Sequence, residues 1–289
     1  MTPVVLTIGA LDPLGVDGIA ADLRSLAALG VHGAPVVAEI RRSAAPIDVA
    51  GVIDQIGAVL RELPVAAVKL GALGSTETAH AVVGKLRGLE APVIADPSFG
   101  SLYPGDAPQD GREGERRADP EAAQRGADAR LVAVWREAVL PIAGIITPNL
   151  AEAAALTRTN QAANRADMLA QAEALCARGA AHAIVSGGHG MAETSTDIIV
   201  SADGAMLEMR ADRLERGTMR GLSAVLAAAI AAYVAHGNAP LRAAQMAKLF
   251  TSNAIAMADH PGGGTSVRIP HPLGRLWQMA RDQNAAHDG

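Results

Sequence analysis

Short runs rich in valine and isoleucine alternate with longer segments rich in alanine and leucine along most of this 289-residue chain. The runs Val4–Gly9, Ala34–Ile40 and Ala66–Gly71 have the length and β-branched content of buried strands. Gly18–Leu29 and Asp48–Glu62 carry apolar residues at helical spacing. Strands that alternate with helices are typical of a mostly parallel sheet with helices on both faces. The pattern therefore predicts an α/β fold of three layers.

The same alternation continues through the rest of the chain. Further strands are predicted in "APVIADP", "AGIITPN" and "AHAIVSGG", and a hairpin with the turn "ADG" in "TDIIVSADGAMLEMRA". Further helices are predicted at Thr76–Leu89 with Ser75 as its cap, Leu131–Leu140, Ala151–Leu156, Arg165–Arg178 and Val225–Ala235. Only 2% of the residues are aromatic, so the core must be aliphatic.

Charge and composition exclude several classes of protein. The formal net charge of −5 argues against a general nucleic-acid binder. The longest apolar run, Leu222–Ala235, falls short of the ~18 residues that span a bilayer, so no membrane segment is predicted. The single cysteine, Cys176, leaves no internal disulfide and no cysteine-based metal site, which fits a reducing cytoplasm.

The chain is predicted to form one domain over residues 1–280. Within it, residues 107–130 are dense in charge, glycine and alanine and have no apolar face, which favours an exposed surface insertion. A lid over the neighbouring loop is the alternative interpretation. Residues 281–289 are polar and are predicted to be a tail.

The loops that follow the predicted strands are the places to search for a ligand site, because parallel sheets bind ligands beyond the carboxyl ends of their strands. These loops are rich in Gly, Pro, Asp or Asn, and they are Gly9–Asp17, Gly71–Ser75, Asp96–Asp106, Thr147–Glu152 and Ser186–Gly190. A further candidate is "ERGTMRGLSA" (Glu215–Ala224), a glycine-containing turn before an apolar helix. Such turns hold phosphate with free backbone N–H groups and the helix dipole.

Several ordered motifs together resemble one family. They are "LTIGALDPLGVDGIAADLRSLAALGVHG" near the N-terminus, "VKLGALGS" (Val68–Ser75), "LPIAGIITPNLAEAAALT" (Leu140–Thr157), "AIVSGGH" (Ala183–His189) and "RGTMRGLSAVLAAAIAA". The chain resembles the hydroxymethylpyrimidine/phosphomethylpyrimidine kinases of thiamine biosynthesis, within the ribokinase-like superfamily. The resemblance runs from about Val4 to about Val267, apart from the charged insertion.

The resemblance implies a three-layer ribokinase-like fold and ATP-dependent phosphate transfer to a hydroxymethyl group of a small molecule. It also implies Mg²⁺, held through the "NLAE" segment by Asn149 and Glu152. The alternative for these two residues is ordinary helix capping, with Glu152 bonding back to the cap. A homodimer is a further expectation that comes from the family alone.

The phosphate turn departs from the family pattern. The family motif "GTGC" is "GTMR" here, so Gly217 and Thr218 are retained for phosphate binding, while Met219 replaces a glycine. Arg220 replaces the family's catalytic cysteine, and arginine cannot act as a base. Either Arg220 clamps an anion, or the site no longer turns over. We predict that Met219 or Arg220 fills the space before the helix Gly221–Ala235.

The nucleotide and substrate sides also differ from the family. Gly187 is an expected nucleotide contact, but Ser186 stands where the family has lysine. The resemblance places the substrate pocket at Asp12, Asp17, Arg41, Ser43, Ala72 and Asp96. This pocket carries acids and arginines, so either these groups pair, as Asp17–Arg41 or Asp17–Arg220, or the ligand is charged. Arginines on the rim that point to water are the third interpretation.

No replacement base is assigned from the sequence. The candidates by residue type are Asp17, Asp96, Asp212, His189 and His260. Asp17 lies in the most suitable loop, but an aspartate there is more often a turn or helix cap. Two functions therefore stay open: a kinase with an altered site or substrate, and a non-catalytic ligand-binding or regulatory member of the family.

Overall fold

The computed structural model describes residues 1–41, 47–99, 129–187, 194–213, 219–259, 269–274 and 279. Within these residues, eight strands form one sheet. The strands are β1 Val4–Leu11, β2 His32–Ile40, β3 Val65–Leu70, β4 Val93–Ala95, β5 Ala143–Ile146, β6 His182–Ser186, β7 Thr194–Ser201 and β8 Met206–Asp212. Each strand predicted from the sequence is confirmed, and so is the hairpin, whose turn places Gly204 at a φ of 89°.

Eight α-helices lie within the same described residues. They are α1 Gly18–Ala28, α2 Val49–Glu62, α3 Thr76–Leu86, α4 Ala129–Val134, α5 Leu150–Thr157, α6 Arg165–Cys176, α7 Leu222–Ala235 and α8 Pro240–Ala256. The predicted cap of α3 is confirmed, because the Ser75 side chain accepts a hydrogen bond from the Thr78 N–H at 3.1 Å. No described helix has both the length and the apolar character needed to cross a membrane.

The sheet has the strand order β2-β1-β3-β4-β5-β6-β7-β8. The first six strands are parallel, and β7 and β8 complete the sheet as an antiparallel hairpin. This arrangement brings the carboxyl ends of β1 to β6 to one edge. The described residues of the loops that the sequence predicts as ligand sites therefore begin at that edge.

Alternate residues of the strands supply two separate cores. Leu6 and Ile8 of β1 face a core shared with α2, α3, α5 and α6, while Val5 faces a core shared with α1, α7 and α8. This period of two is what a buried strand between two helical layers requires. The predicted three-layer α/β fold is confirmed.

Helix α7 is apolar on every side, as the sequence predicts. Its residues from Ala224 to Ala232 are all buried, between the sheet and the helices α1 and α8. The small alanine side chains allow α1 and α8 to pack closely on it. The helix starts at Leu222, three residues before the predicted start at Val225.

Some elements differ from the sequence-based prediction. The predicted helix Leu131–Leu140 is α only as far as Val134, and continues as a π turn, Trp135–Val139, and a 3₁₀ turn, Leu140–Ile142. Pro141 has no N–H to donate, which limits regular α-helical bonding there. Helix α8 was not predicted.

The boundaries of two other segments also need correction. Helix α3 ends at Leu86 rather than Leu89, and Gly88 beyond it takes a φ of 84°. Of the predicted insertion at 107–130, residues 129 and 130 instead begin α4. The rest of that insertion and the predicted tail at 281–289 lie outside the described residues.

The loop between β1 and α1 packs against the start of α7. Gly221, at the N-cap of α7, has a φ of 78°, and a Cβ atom placed on it would lie 2.2 Å from the carbonyl oxygen of Val16. Backbone contact this close leaves no room for a side chain. Glycine at residue 221 therefore fixes the distance between the β1–α1 loop and the first turn of α7.

We expect Gly221→Ala to lower the free energy of unfolding in urea by about 1–3 kcal/mol more than Gly237→Ala does, because the added methyl group overlaps backbone. Gly237 is the matched control, since its φ of 85° is similar and nothing lies within 4 Å of an added Cβ. Equal losses in the two variants would show that the contact with Val16 does not restrict the site.

Candidate active site

A cavity opens at the carboxyl ends of β1, β3 and β4. Its walls come from loops after these strands and from the first turns of α1, α5 and α7. The lining residues include Gly9, Asp17, Arg41, Ala72, Asp96, Glu152 and Ser223. The predicted pocket residues Asp17, Arg41, Ala72 and Asp96 are therefore brought together, and the predicted metal residue Glu152 joins them.

A buried lysine with two carboxylate partners forms the floor of the cavity. Lys69 Nζ on β3 lies 3.1 Å from Asp22 Oδ1 on α1 and 3.2 Å from Asp96 Oδ2 after β4. Thr7 on β1 donates a hydrogen bond of 2.6 Å to Asp22 Oδ2. Only 2% of Lys69 is exposed. The network thus joins four elements of the fold through two ion pairs and a hydrogen bond.

Burial shifts the titration of this network. It raises the pKa of Asp22 to about 6, and the positive charge of Lys69 opposes that rise. The pKa of Asp96 is raised for the same reason, again against the effect of Lys69. Burial alone would lower the pKa of Lys69, but the two carboxylates outweigh it and hold that pKa above its ordinary value. Lys69 is therefore charged at neutral pH.

The two residues predicted to organise a metal form a capping box at the start of α5. Asn149 Oδ1 accepts hydrogen bonds from the N–H groups of Ala151 and Glu152, at 2.9 and 3.0 Å. The Asn149 N–H donates to Glu152 Oε2 at 2.9 Å. The capping alternative is thus present, and it still leaves Glu152 in the wall of the cavity.

Glu152 is buried, and its carboxyl group is close to other acids. Burial, followed by the negative charge of Asp96, raises its pKa well above the ordinary value. Within the described residues, the Glu152 carboxylate accepts a hydrogen bond from the Asn149 N–H at 2.9 Å, which is a neutral donor. A positive charge brought into the cavity would stabilise the ionised forms of Glu152 and Asp96 together.

Asp17 pairs with one of the two predicted arginines. Arg41 Nη1 lies 3.3 Å from Asp17 Oδ2. Asp17 is also the N-cap of α1, because its Oδ1 accepts a hydrogen bond of 2.7 Å from the Gly18 N–H. The predicted Asp17–Arg41 pair is therefore present. The side chain of Arg41 is 17% exposed, so the interpretation of a rim arginine pointing to water does not apply to it.

Arg220 contacts the other aspartate of the β1–α1 loop. Its Nη2 atom lies 3.9 Å from Asp12 Oδ2, and both residues are buried. The alternative pair, Asp17–Arg220, is not the one observed. Asp12 does not line the cavity, and neither do Met219 and Arg220, although all three are described. The expectation that Met219 or Arg220 fills the space before α7 stays a prediction.

The first turn of α7 faces the cavity through Ser223 and Ala224. The N-cap residue, Gly221, has no side chain with which to cap the helix. Backbone N–H groups at such a helix start, together with the helix dipole, favour an anion. The cavity therefore combines an anion-favouring wall with a wall of carboxylates.

Gly187 has a structural role of its own at the end of β6. Its N–H donates to Thr196 O at 2.9 Å and to Asp197 Oδ1 at 3.1 Å. A Cβ atom at Gly187 would lie 2.3 Å from Thr196 O, so the closeness of β7 alone requires glycine. Lys248 on α8 bonds Asp197 Oδ2 at 2.9 Å. The predicted nucleotide contact at Gly187 stays a prediction.

The remaining candidates divide into two groups. Asp212, at the end of β8, is exposed and does not line the cavity. The others, Ser43, Gly217, Thr218, His189 and His260, lie outside the described residues. Among the residues that the structure does describe, no group of three or more His, Cys, Asp or Glu side chains could hold a metal ion.

Sequence reasoning missed the floor of the site. Lys69 lies inside an otherwise apolar strand, and Asp22 lies on the buried side of α1. A charged residue at a position where the pattern demands an apolar one is a signal of a buried ion pair. That signal could have selected Lys69 and Asp22, but not shown that they meet.

A family model described as phosphomethylpyrimidine kinase matches residues 12–102 and 121–268. The chain belongs to the phosphomethylpyrimidine kinase family. The hydroxymethylpyrimidine/phosphomethylpyrimidine kinase of Rhizobium meliloti (strain 1021) is 34% identical over 285 residues, which cover 96% of this chain and 100% of that protein. The kinase of the same name from Streptomyces coelicolor is 33% identical, over 91% of this chain and 92% of that protein. The resemblance stated from the motifs is confirmed.

Solved structures agree with this assignment. The phosphomethylpyrimidine kinase of Clostridium difficile 630 superposes with a TM-score of 0.67 at 26% identity, covering 88% of this chain and 100% of its own. The pyridoxal kinase of Staphylococcus aureus, in complex with AMP-PCP and pyridoxal, has a TM-score of 0.79 at 23% identity, with 95% of each chain covered. The kinase family therefore shares the ribokinase-like fold of this chain.

We expect Lys69→Met to lower the free energy of unfolding by about 3–5 kcal/mol, because it leaves Asp22 and Asp96 buried without their cation. The measurement is urea unfolding at neutral pH. Arg165→Met is the control, since Arg165 is half exposed in its pair with Glu208 and its loss should cost about 1 kcal/mol or less. Losses of the same size in both variants would contradict a structural role for the buried network.

The stability contributed by Asp22 should depend on pH. Its pKa is raised on folding from 3.8 to about 6. The folded protein thus holds this proton more tightly than the unfolded chain, and the contribution is complete below about pH 4 and is lost as the pH rises through about 6.

The measurement compares wild type with Asp22→Asn in urea unfolding from about pH 4 to about pH 7. The free energy of wild type minus that of the variant should fall over this range by about 1–3 kcal/mol. Asp54→Asn, on the exposed side of α2, sets the baseline for loss of a surface carboxylate. A difference that rises with pH would show that the pKa of Asp22 is lowered instead.

Proposed function

We propose that this chain is an ATP-dependent kinase that phosphorylates the hydroxymethyl group of a hydroxymethylpyrimidine or its phosphate. The observation that supports this most directly is the cavity itself, which is lined both by the first turn of α7 and by the buried acids Asp96 and Glu152. The sequence similarity to hydroxymethylpyrimidine/phosphomethylpyrimidine kinases over 96% of the chain supports the substrate class.

The first turn of α7 would bind the transferring phosphate. Its free N–H groups and dipole favour the negative charge that the phosphoryl group carries during transfer. Gly217 and Thr218 are proposed to extend this site, as in the family motif. Arg220 is proposed to add positive charge from the side of Asp12 rather than to act on a proton.

The acids fit a divalent cation in this site. Asp96 Oδ1 is buried and has no hydrogen-bond partner within the described structure, and Glu152 has a strongly raised pKa. Carboxylate oxygens that work partly through water suit Mg²⁺. Asp96 and Glu152 would hold the ion, which would neutralise phosphate charge. Asn149 uses its Oδ1 on two backbone N–H groups, so we assign it to orienting Glu152 rather than to binding metal.

A second function has an observation in its favour. Arg220 stands where the family keeps its catalytic cysteine, and it is held near Asp12. A protein that binds the same ligands without turnover, as a regulatory or binding member of the family, would need no base. A cytoplasmic location and a homodimer remain predictions from composition and family.

The decisive experiment measures ADP release with ATP, Mg²⁺ and 4-amino-5-hydroxymethyl-2-methylpyrimidine or its phosphate. Turnover is expected, together with ATP–Mg²⁺ binding in calorimetry. Binding of the pyrimidine without turnover would favour the regulatory function. The absence of both binding and turnover would reject the kinase function.

Glu152→Gln should reduce kcat by about 100-fold or more and raise the Mg²⁺ concentration needed for half-maximal rate, since it removes charge from the metal site. The amide oxygen can still accept the hydrogen bond from Asn149, so the fold should persist. Glu173→Gln on the exposed side of α6 is the matched control and should leave both values unchanged. An unchanged Mg²⁺ requirement in Glu152→Gln would remove Glu152 from the metal site.

A further inference from the structure

The proposed reaction needs a group that accepts the proton of the attacking hydroxyl. Arg220 cannot do so, because a guanidinium stays protonated in proteins. Three carboxylates line the cavity: Asp17, Asp96 and Glu152. A general base must lie within hydrogen-bond reach of the hydroxyl, so the candidates are the described residues that line the cavity.

Two of the three carboxylates are committed elsewhere. Asp96 contacts Lys69 through one oxygen and would face the cation through the other. Glu152 accepts a hydrogen bond from the Asn149 N–H at 2.9 Å and is the second proposed ligand of the same cation. A carboxylate that binds a metal is a poor proton acceptor. Asp17 is the acid that remains.

The backbone of Asp17 lies against the start of α7. A Cβ atom placed on Gly221 would be 3.6 Å from the Cα of Asp17 and 2.2 Å from the carbonyl oxygen of Val16. Asp17 is therefore packed against the residue that follows Arg220. Asp17 and the first-turn residues Ser223 and Ala224 line the same cavity, so a hydroxyl bound there would lie near both Asp17 and the proposed phosphate site.

The carboxylate of Asp17 is oriented by two contacts. The Gly18 N–H holds Oδ1 at 2.7 Å, and Arg41 Nη1 lies 3.3 Å from Oδ2. Asp17 is only 7% exposed, so water competes weakly for its remaining acceptor positions. Phosphoryl transfer through a loose transition state demands orientation of the nucleophile more than a strong base, and aspartate serves this purpose in protein kinases.

We propose that Asp17 is the general base of this kinase, an assignment that rests on the proposed function. The Asp17 carboxylate accepts the proton of the substrate's hydroxymethyl group. At the same time, the oxygen of that hydroxymethyl group forms a bond to the γ-phosphorus of ATP. The bond from that phosphorus to the bridging oxygen breaks, and its electron pair leaves with ADP. Asp17 then releases the proton to solvent. Arg41 holds the carboxylate toward the substrate.

The kinetic test uses Asp17→Asn, which retains an oxygen for capping α1 and removes the proton acceptor. We expect kcat to fall by about 100-fold to 10,000-fold, with little change in KM for ATP and a melting temperature close to that of wild type.

Asp203→Asn is the matched control. Asp203 lies in the exposed turn between β7 and β8, and its Oδ1 also accepts a backbone N–H, from Ala205 at 3.1 Å. The Asp→Asn change therefore affects a similar hydrogen bond between a carboxylate and a backbone N–H. The turn lies at the end of the hairpin that is farther from Ser186, the last residue of β6. Its kcat should equal that of wild type.

A binding measurement tests the contact without turnover. Calorimetry compares 4-amino-5-hydroxymethyl-2-methylpyrimidine with 4-amino-2,5-dimethylpyrimidine, which lacks the hydroxyl. Wild type should prefer the hydroxymethyl compound by about 10-fold to 100-fold, as for a hydrogen bond to a charged group. In Asp17→Ala, the ratio of the two affinities should fall close to one. If Asp17 had a purely structural role, the substitution would lower the affinity for both ligands equally.

The outcomes separate this assignment from the function on which it rests. Two results would overturn Asp17 as the base and leave the proposed kinase function standing. One is a kcat of Asp17→Asn within about threefold of wild type. The other is a preference for the hydroxymethyl compound that is unchanged in Asp17→Ala. Absence of turnover by wild type would overturn both.

Discussion

The ion pairs of Lys69 tie together the elements on which the site depends. One lysine on β3 binds a carboxylate from α1 and another from the end of β4, all beneath the cavity. Burying one cation with two acids is costly, and mutual contact together with the hydrogen bond from Thr7 offsets the cost. Because these partners come from different elements, the walls of the cavity keep their spacing only while the network is intact.

The same network explains the acidity pattern of the cavity. Burial raises the pKa values of Asp96 and Glu152, and the positive charge of Lys69 opposes this rise only at Asp96. Such a site is stabilised when a cation enters, and the first turn of α7 opposite is stabilised when an anion enters. In the proposed function, a metal-bound polyphosphate would satisfy both walls at once. The electrostatics therefore favour phosphoryl transfer.

The loop between β1 and α1 contains two acids, and each is close to one arginine. Asp17 pairs with Arg41, and Asp12 lies near Arg220. The sequence predicted acids and arginines in one pocket but left their partners open, because pairing depends on which backbones touch. Arg41 meets Asp17 because the end of β2 stays paired with the end of β1, where the Arg41 N–H donates to Leu11 O at 3.0 Å. The contact of Gly221 with Val16 separately sets Asp17 beside the start of α7. Asp17 and Arg220 thus lie in two segments that pack against each other.

The sequence by itself determined the α/β class, the presence and order of the strands and the edge where the site lies, because these follow from local periodicity and from the direction of parallel strands. It also singled out Asp17, Asp96 and Glu152. Only the tertiary structure decided that Lys69 and Asp22 meet beneath them. An ion pair between distant residues depends on strand register and helix packing, which no local pattern encodes.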